Sequence, residues 1–214
     1  GDFGSDAYRF VDWLVSAGQT YWQMLPLGEI GPGNSPYMSS SAFAGNILLI
    51  DLAELAEMGW LSGEDLMPHP EFWPDTVNFD VLLPFRLERL RRAAKRFFAD
   101  SANASQGAYA GFCNLESEWL DDYALFMTIK EHQQDGEWNR WPSDLATRNP
   151  QALRRVAESS TEEINFWKFC QWCFSRQWSN LKQYANERGI LIIGDLPIFV
   201  AYRSADVWAH QELF

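Results

Sequence analysis

The sequence has 214 residues, 47% of them hydrophobic, and a formal net charge of −12 at pH 7. A chain of this length can form one large domain, and its negative charge repels phosphate groups and anionic lipids, which excludes nucleic acid and membranes as partners. It contains neither an apolar run of about 18 residues, as a transmembrane helix needs, nor a charged leader before an apolar stretch, so we expect a cytosolic protein with a neutral ligand.

The first quarter of the chain combines helices and strands. Apolar residues at helical spacing predict a helix from Asp6 to Ala17, which Gly18 ends. Strand candidates follow at Thr20–Leu25 and at Ile47–Leu52, and a short helix is predicted after the second one. The Gly-, Pro- and Ser-rich stretch 28–46 between the two strand candidates is long for a simple connection, and such loops are usually functional.

Residues 62–150 differ from the rest and are predicted to form a mainly helical insertion. Helical periodicity covers Leu82–Phe98 and Glu116–His132, whereas Trp138–Pro150 is predicted to be irregular. The insertion divides the chain into three parts: the first βα units of the main domain (1–61), the insertion (62–150), and a buried helix with a further strand and its following loop (151–214).

The last part contains a helix that is apolar on most sides, which Gly189 ends, and then the apolar run 190–193. A short apolar run bounded by turn residues predicts a strand buried on both faces. Asp195 lies where this strand ends. Because chemistry in parallel α/β folds collects at the carboxyl ends of strands, Asp195 is either a site residue or a structural hydrogen-bond acceptor, with Arg203, Asp206 and Trp208 downstream.

The loop 34–46 is the second candidate site. Pro36 fixes the backbone before Tyr37, and small residues surround Phe43. A rigid loop that presents one ring and several hydroxyl groups offers a sugar a stacking face and hydrogen-bond partners. The alternative is an ordinary irregular loop with Tyr37 packed inward.

One cysteine pair has the spacing of a metal or redox site. No second pair and no nearby histidine accompany Cys170 and Cys173, so we expect structural burial on an apolar helix. The three strand candidates with their helices predict an α/β fold. A closed (β/α)8 barrel needs eight strands and about 250 residues, so the chain forms either a small doubly wound sheet or the first part of a barrel.

A family resemblance is carried, in chain order, by the segments 21–28, 35–46, 119–126, 138–142, 192–200 and 204–208. Through them the chain resembles the 4-α-glucanotransferases of glycoside hydrolase family 77, called amylomaltases or disproportionating enzymes. The resemblance implies the N-terminal part of a (β/α)8 TIM-type barrel with a mostly helical insertion, the barrel not being complete in this chain. The family transfers α-1,4-linked glucan segments between maltooligosaccharides or starch chains, with retention through a covalent glycosyl-enzyme.

The resemblance also implies roles for single residues. Tyr37 would stack on the donor glucose beside Ser35, and Asp195 would support the donor subsite after the third strand without attacking the substrate. The nucleophilic Asp, the acid/base Glu and a third Asp are expected beyond Phe214, so the isolated chain is expected to be inactive. No cofactor and no metal are expected. Calcium in particular is not expected, because Pro197–Val200 replaces the segment that continues to a calcium-binding Asn in the related α-amylases.

The expected partners are α-1,4-glucans, maltooligosaccharides and glucose. A homodimer is also expected, because dimerisation would cover the edges and apolar face of an open sheet. Two alternatives stay open: a glucan hydrolase of the α-amylase type, and a non-catalytic chain, either truncated or only glucan-binding.

Overall fold

The computed structural model describes residues 1–68, 72–73, 75–100, 104–133 and 137–214, which are mostly helical with one small sheet. This arrangement confirms the α/β class. None of the helices in these ranges is long and apolar enough to cross a bilayer. The elements in chain order are α1 (Ser5–Ser16), β1 (Tyr21–Gln23), α2 (Leu52–Glu57), α3 (Phe79–Ala99), α4 (Gln106–Leu115), α5 (Ser117–Gln133), α6 (Ser143–Ala146), α7 (Pro150–Ser159), α8 (Thr161–Glu187), β2 (Leu191–Ile193) and α9 (Ala205–Ala209).

The described chain divides into two compact units, and each of them is discontinuous in sequence. Helix α8 contributes its first part to unit 2 and the remainder to unit 1. Unit 1 comprises Gly1–Leu25, Asn46–Gln106 and Cys173–Asp195, and unit 2 comprises Pro26–Gly45, Gly107–Trp172 and Leu196–Phe214.

The sheet of unit 1 consists of β1 and β2, which pair in parallel with Trp22 opposite Ile192. Gly189 ends α8 just before β2, and its backbone lies in the left-handed region, with φ +79°. The amide of Ile190 then donates to the carbonyl of Ala185 (3.0 Å), which is the long hydrogen bond of a Schellman cap. The strand predicted after Gly189 is therefore confirmed.

The prediction that this strand is buried on both faces is wrong. Ile190 is fully buried, but Leu191 and Ile193 are 52% and 44% exposed. Successive side chains of a strand point to opposite faces, so these two share one face, and Tyr21 of β1 is exposed as well. Other described residues therefore cover only one face of this sheet, and its other face is exposed.

The predicted strand Ile47–Leu52 is also wrong, because this segment is a 3-10 turn (Ile47–Leu49) followed by α2. The Asn46 side chain accepts a hydrogen bond from the amide of Leu48 (3.0 Å). The Asp51 carboxylate caps α2 by accepting from the amides of Ala53 (3.0 Å) and Glu54 (3.2 Å). These two side chains satisfy the backbone locally and override the β-forming composition of the segment.

The core of unit 1 includes the fully buried side chains of Val11 in α1, Leu55 in α2, and Leu90 and Phe97 in α3. Each such side chain contributes about 1.5–3 kcal/mol to folding relative to an exposed one. The predicted helices at Asp6–Ala17 and Leu82–Phe98 are thus confirmed as α1 and α3.

The core of unit 2 contains an aromatic cluster in which Trp208 of α9 packs against Phe126 of α5 and against Trp141, with ring centroids 5.6 and 5.9 Å apart. The Trp208 indole donates to the carbonyl of Leu145 (3.0 Å). Leu145 lies in α6, inside the stretch predicted to be irregular, and that prediction is wrong because the stretch forms a 3-10 turn, α6 and then the start of α7.

The cysteine pair is structural, as expected. Cys170 and Cys173 are both buried and free on α8. Burial raises the pKa of the Cys173 thiol well above its ordinary value, so this group stays protonated and unreactive.

Candidate functional site

The loop Gly28–Gly45 of unit 2, called loop 28–45 below, is folded back on itself. Its ends meet in an antiparallel bridge between Gly28 and Gly45, and a second bridge joins Gly31 to Ser35. A Cβ atom on Gly31 would lie 1.9 Å from the carbonyl oxygen of Met38, so this close approach requires glycine.

Ser35 and Tyr37 lie close together in loop 28–45. The Ser35 hydroxyl oxygen accepts from the Tyr37 amide (3.3 Å), and the Ser35 carbonyl accepts from the Gly31 amide (2.9 Å). The Tyr37 side chain is 42% exposed, which argues against the alternative in which it packs inward. The loop therefore presents the ring from a backbone that its own hydrogen bonds hold in place.

The second half of the loop is fixed by Asp206 of α9. The Asp206 carboxylate accepts from the amide of Ala42 (2.9 Å) and from the hydroxyl of Ser41 (3.3 Å). The amide of Ala205 donates to the carbonyl of Ser40 (2.8 Å). These bonds join two segments that are about 160 residues apart in sequence.

Gln171 fixes the end of the loop from α8. Its side-chain oxygen accepts from the Gly45 amide (2.8 Å), and its side-chain nitrogen donates to the Gly45 carbonyl (3.0 Å) and contacts the Tyr123 hydroxyl (3.5 Å). Burial raises the pKa of Tyr123 well above its ordinary value, so that phenol stays neutral. The sequence reasoning missed Gln171, although a glutamine in the middle of an apolar helix is the signal that could have identified it.

The residues downstream of Asp195 have structural partners within unit 2. Asp206 anchors loop 28–45, Arg203 forms an ion pair with Glu137, and Trp208 is fully buried. The sequence grouped these three with Asp195, and within unit 2 each of them has a structural role.

Asp195 lies two residues beyond the end of β2, at the end of unit 1, and is half-buried. Its position at the end of a parallel strand is the one that the sequence predicted. Ser35 and Tyr37 belong to unit 2, where a hydrogen bond joins them, and Asp195 belongs to unit 1.

The arrangement is suited to recognising a polar, ring-shaped ligand. The exposed ring of Tyr37 supplies an apolar face, and the hydroxyl groups of the loop supply hydrogen-bond partners. In the part of the chain that the structure describes, no group of three or more His, Cys, Asp or Glu side chains could hold a metal ion.

Comparison with known proteins shows which family the chain matches. The family model for glycoside hydrolase family 77, described as 4-alpha-glucanotransferase, matches residues 1–214. The chain is 44% identical over 214 residues to a 4-alpha-glucanotransferase of Synechocystis sp. and 46% identical over 214 residues to one of Thermus thermophilus. Each alignment covers 100% of this chain and 42% of the relative, so the chain spans less than half the length of these curated relatives.

A solved structure is similar over the same extent. The amylomaltase from Streptococcus agalactiae, in complex with acarbose, has a TM-score of 0.94 and 38% sequence identity to this chain. The match covers 100% of this chain and 43% of that one.

Proposed function

The chain belongs to glycoside hydrolase family 77, the 4-alpha-glucanotransferases, and from this premise we propose that it forms the donor-binding part of an enzyme that transfers α-1,4-linked glucan segments between maltooligosaccharides or starch chains. The observation that carries the proposal is the exposed ring of Tyr37 on a loop held by Ser35, Asp206 and Gln171. The acarbose complex of the similar amylomaltase supports glucan binding.

Tyr37 and Ser35 would bind the donor sugar. The Tyr37 ring packs against the C–H face of a glucose unit, a contact that contributes binding energy without distinguishing hydroxyl positions. The Ser35 oxygen accepts from the Tyr37 amide, which sets the turn, and its hydroxyl hydrogen can donate to a sugar oxygen.

Asp195 would act on a bound glucan through charge. A carboxylate at the end of a parallel strand accepts hydrogen bonds from sugar hydroxyls and stabilises the positive charge that develops on the anomeric carbon. This role is electrostatic support and substrate contact, and it needs no bond between Asp195 and the glucan.

The transfer itself proceeds by the retaining scheme. The bond from the anomeric carbon to the glycosidic oxygen breaks while a carboxylate nucleophile bonds to that carbon, and a carboxylic acid gives its proton to the leaving oxygen. The 4-hydroxyl of an acceptor glucan then attacks the same carbon and returns a proton to the acid/base group. We place the nucleophile, the acid/base residue and a third carboxylate outside residues 1–214, which span 42% of the relatives' length.

The same premise extends to the fold. The parallel pair of β1 and β2, with helices between them in sequence, supports their assignment to the N-terminal part of a (β/α)8 barrel. The homodimer, the cytosolic location and the division into 1–61, 62–150 and 151–214 stay predictions.

The experiment is incubation of the full-length protein with maltotriose, followed by chromatography of the products. Transfer gives glucose together with a ladder of longer glucans, whereas hydrolysis gives only shorter ones. A ladder supports the proposal, and shorter products alone would identify the α-amylase-type hydrolase instead.

The same incubation with the isolated 214-residue chain tests where the carboxylates lie. We expect neither glucose nor longer oligomers from a preparation that shows a cooperative thermal transition. Transfer by the isolated chain would contradict the placement of the catalytic carboxylates outside it.

A further inference from the structure

Trp138–Pro142 is one of the segments that carry the family resemblance, and it contains two buried tryptophans. It begins with a 3-10 turn and lies in unit 2. Trp138 and Trp141 are 8% and 4% exposed. The segment is not part of loop 28–45, so any role in glucan binding is indirect and depends on what the two rings contact.

Trp138 holds the chain just before α9. Its indole N–H donates to the carbonyl of Tyr202 (2.7 Å), and its ring packs against the Tyr202 ring with centroids 5.4 Å apart. The neighbouring residue Glu137 forms an ion pair with Arg203. Two consecutive residues of one segment therefore bind two consecutive residues of the other, which fixes the path of the chain into α9.

The far end of α9 is fixed by the same segment. The ring of Trp208 packs against that of Trp141 (5.9 Å between centroids), and its indole donates to the carbonyl of Leu145 (3.0 Å). Helix α9 has only 5 residues, and an isolated helix of that length is not stable in water. Its position is therefore set by these tertiary contacts and not by its own backbone.

Helix α9 in turn holds loop 28–45. The amide of Ala205 donates to the carbonyl of Ser40 (2.8 Å), and the Asp206 carboxylate accepts from the amide of Ala42 (2.9 Å). Both bonds begin soon after Tyr202 in sequence. Because hydrogen bonds weaken steeply as their geometry departs from the optimum, a backbone shift at Tyr202 would loosen the loop.

We propose that Trp138 is a positioning residue for donor binding, which acts on Tyr37 through α9 and loop 28–45. This inference rests on the proposed function, because the ligand of Tyr37 is the donor glucan named there. Trp141 differs from Trp138 in kind. It packs in the aromatic core, where its ring contributes by burial, whereas the Trp138 indole makes a directional hydrogen bond that phenylalanine cannot make.

The test is the steady-state transfer kinetics of full-length Trp138→Phe with maltotriose. Phenylalanine keeps an aromatic ring beside Tyr202 but removes the N–H group, so the Tyr202 carbonyl loses this donor. We expect KM for maltotriose to rise about three- to fivefold at nearly constant kcat, since the loop is displaced and the reacting groups are not.

Trp60→Phe is the matched control, because Trp60 is a buried tryptophan of unit 1, 4% exposed, and the substitution removes the same atoms. It should lower the melting temperature, as Trp138→Phe does, and leave KM unchanged. An equal rise of KM in both variants would show a general loss of stability and would overturn the positioning role.

Two further measurements show whether Trp138 acts through α9. In an Asp206→Ala background, Trp138→Phe should raise KM less than about twofold further, because the bonds from Asp206 to the loop are already lost. Hydrogen exchange followed by mass spectrometry should show the amides of residues 40–45 exchanging several-fold faster in Trp138→Phe than in the wild type.

The outcomes separate this inference from the function on which it rests. If the wild type makes the ladder of longer glucans but Trp138→Phe keeps the wild-type KM and exchange, the positioning role is overturned while the proposed function stands. Additive effects of Trp138→Phe and Asp206→Ala on KM would also overturn it, because Trp138 would then act independently of α9. A wild type that makes no ladder would overturn both the proposed function and the role of Trp138 in donor binding.

Discussion

The two segments that carry the proposed donor-site residues are held in place in different ways. Loop 28–45 depends on side chains that are remote in sequence, Gln171 and Asp206, which bind its backbone at Gly45 and Ala42. The segment that ends in Asp195 depends on the ladder between β1 and β2. The position of Tyr37 is therefore sensitive to substitutions on other helices, whereas the position of Asp195 depends on strand register.

The two segments also differ in the burial of the residues just downstream. Beyond Tyr37 the side chains of Ser41 and Ala44 are buried, whereas that of Phe43 between them is exposed. Beyond Asp195 the side chains of Leu196, Ile198 and Phe199 are exposed. Changes at Asp195 should therefore alter chemistry with little effect on folding, and changes that displace loop 28–45 should alter substrate binding.

The largest expected effect is that of Asp195→Asn in the full-length protein. Replacing a charged acceptor by an amide removes about 1.5–3 kcal/mol of charge-assisted hydrogen bonding, which lowers the turnover number about 10- to 100-fold. The melting temperature should change little, because asparagine has the same size and shape as the half-buried Asp195 side chain.

Steady-state kinetics with maltotriose and calorimetry check this prediction. Asp75→Asn, an exposed aspartate in unit 1, is the control and should leave both quantities unchanged. Unchanged turnover in Asp195→Asn would make Asp195 a structural residue.

Gly31→Ala should have the next largest effect, through the loop. The added Cβ would overlap the Met38 carbonyl, so the backbone on either side of Tyr37 must shift, at a cost of about 1–3 kcal/mol. We expect kcat/KM for maltotriose to fall about tenfold.

Gly111→Ala is the matched control for this variant. A Cβ at Gly111 meets no atom within 4 Å, and the residue lies inside α4. Alanine should therefore stabilise the helix by about 0.5–1 kcal/mol and leave the kinetics unchanged. Equal kcat/KM values for the two variants would show that Tyr37 does not depend on the shape of the loop.

The sequence predicted the elements that local patterns determine. Helical periodicity identified α1, α3 and α5, and the turn at Gly189 located β2. It failed at Ile47–Leu52, where a β-forming composition competes with two capping side chains. It could not identify Gln171 or Asp206 as supports of loop 28–45, because their partners are more than a hundred residues away and only tertiary packing brings them together.

Asp206→Ala tests that tertiary support directly and should have a smaller effect than Gly31→Ala. The variant loses the bonds to Ala42 and Ser41, but Gln171 still holds the end of the loop. We expect KM for maltotriose to rise about three- to tenfold at nearly constant kcat, as one charge-assisted bond contributes about 1.5 kcal/mol.

Asp206→Asn keeps an oxygen that can accept from the Ala42 amide, so it should recover much of the lost affinity. This rescue separates loop support from a general loss of stability. A drop in kcat without a change in KM would contradict the positioning role.

The smallest effect on transfer is expected at Asp65, a carboxylate in unit 1 that is 3% exposed. The amide and the hydroxyl of Ser62 both donate to it (2.8 Å each), and Arg92 forms an ion pair with it (2.6 Å). The bonds from Ser62, together with the Arg92 guanidinium, lower the pKa of Asp65 well below its ordinary value in spite of its burial. None of these partners belongs to loop 28–45, so Asp65→Asn should leave transfer from maltotriose unchanged at neutral pH.

Its effect should instead be on stability and on the pH dependence of stability. Above about pH 4, the ordinary pKa of an aspartate, Asp65 is ionised in both states and its contribution is complete. As the pH falls further the unfolded chain takes up the proton first, so the free energy of unfolding decreases.

Asp65→Asn should lower the free energy of unfolding by about 1–3 kcal/mol at pH 7 and flatten its decline below pH 4. Denaturant titrations from pH 7 to pH 2.5 measure both, with the exposed neighbour Glu64→Gln as control. Parallel curves for wild type and Asp65→Asn would show that this carboxylate does not stabilise unit 1 through its charge.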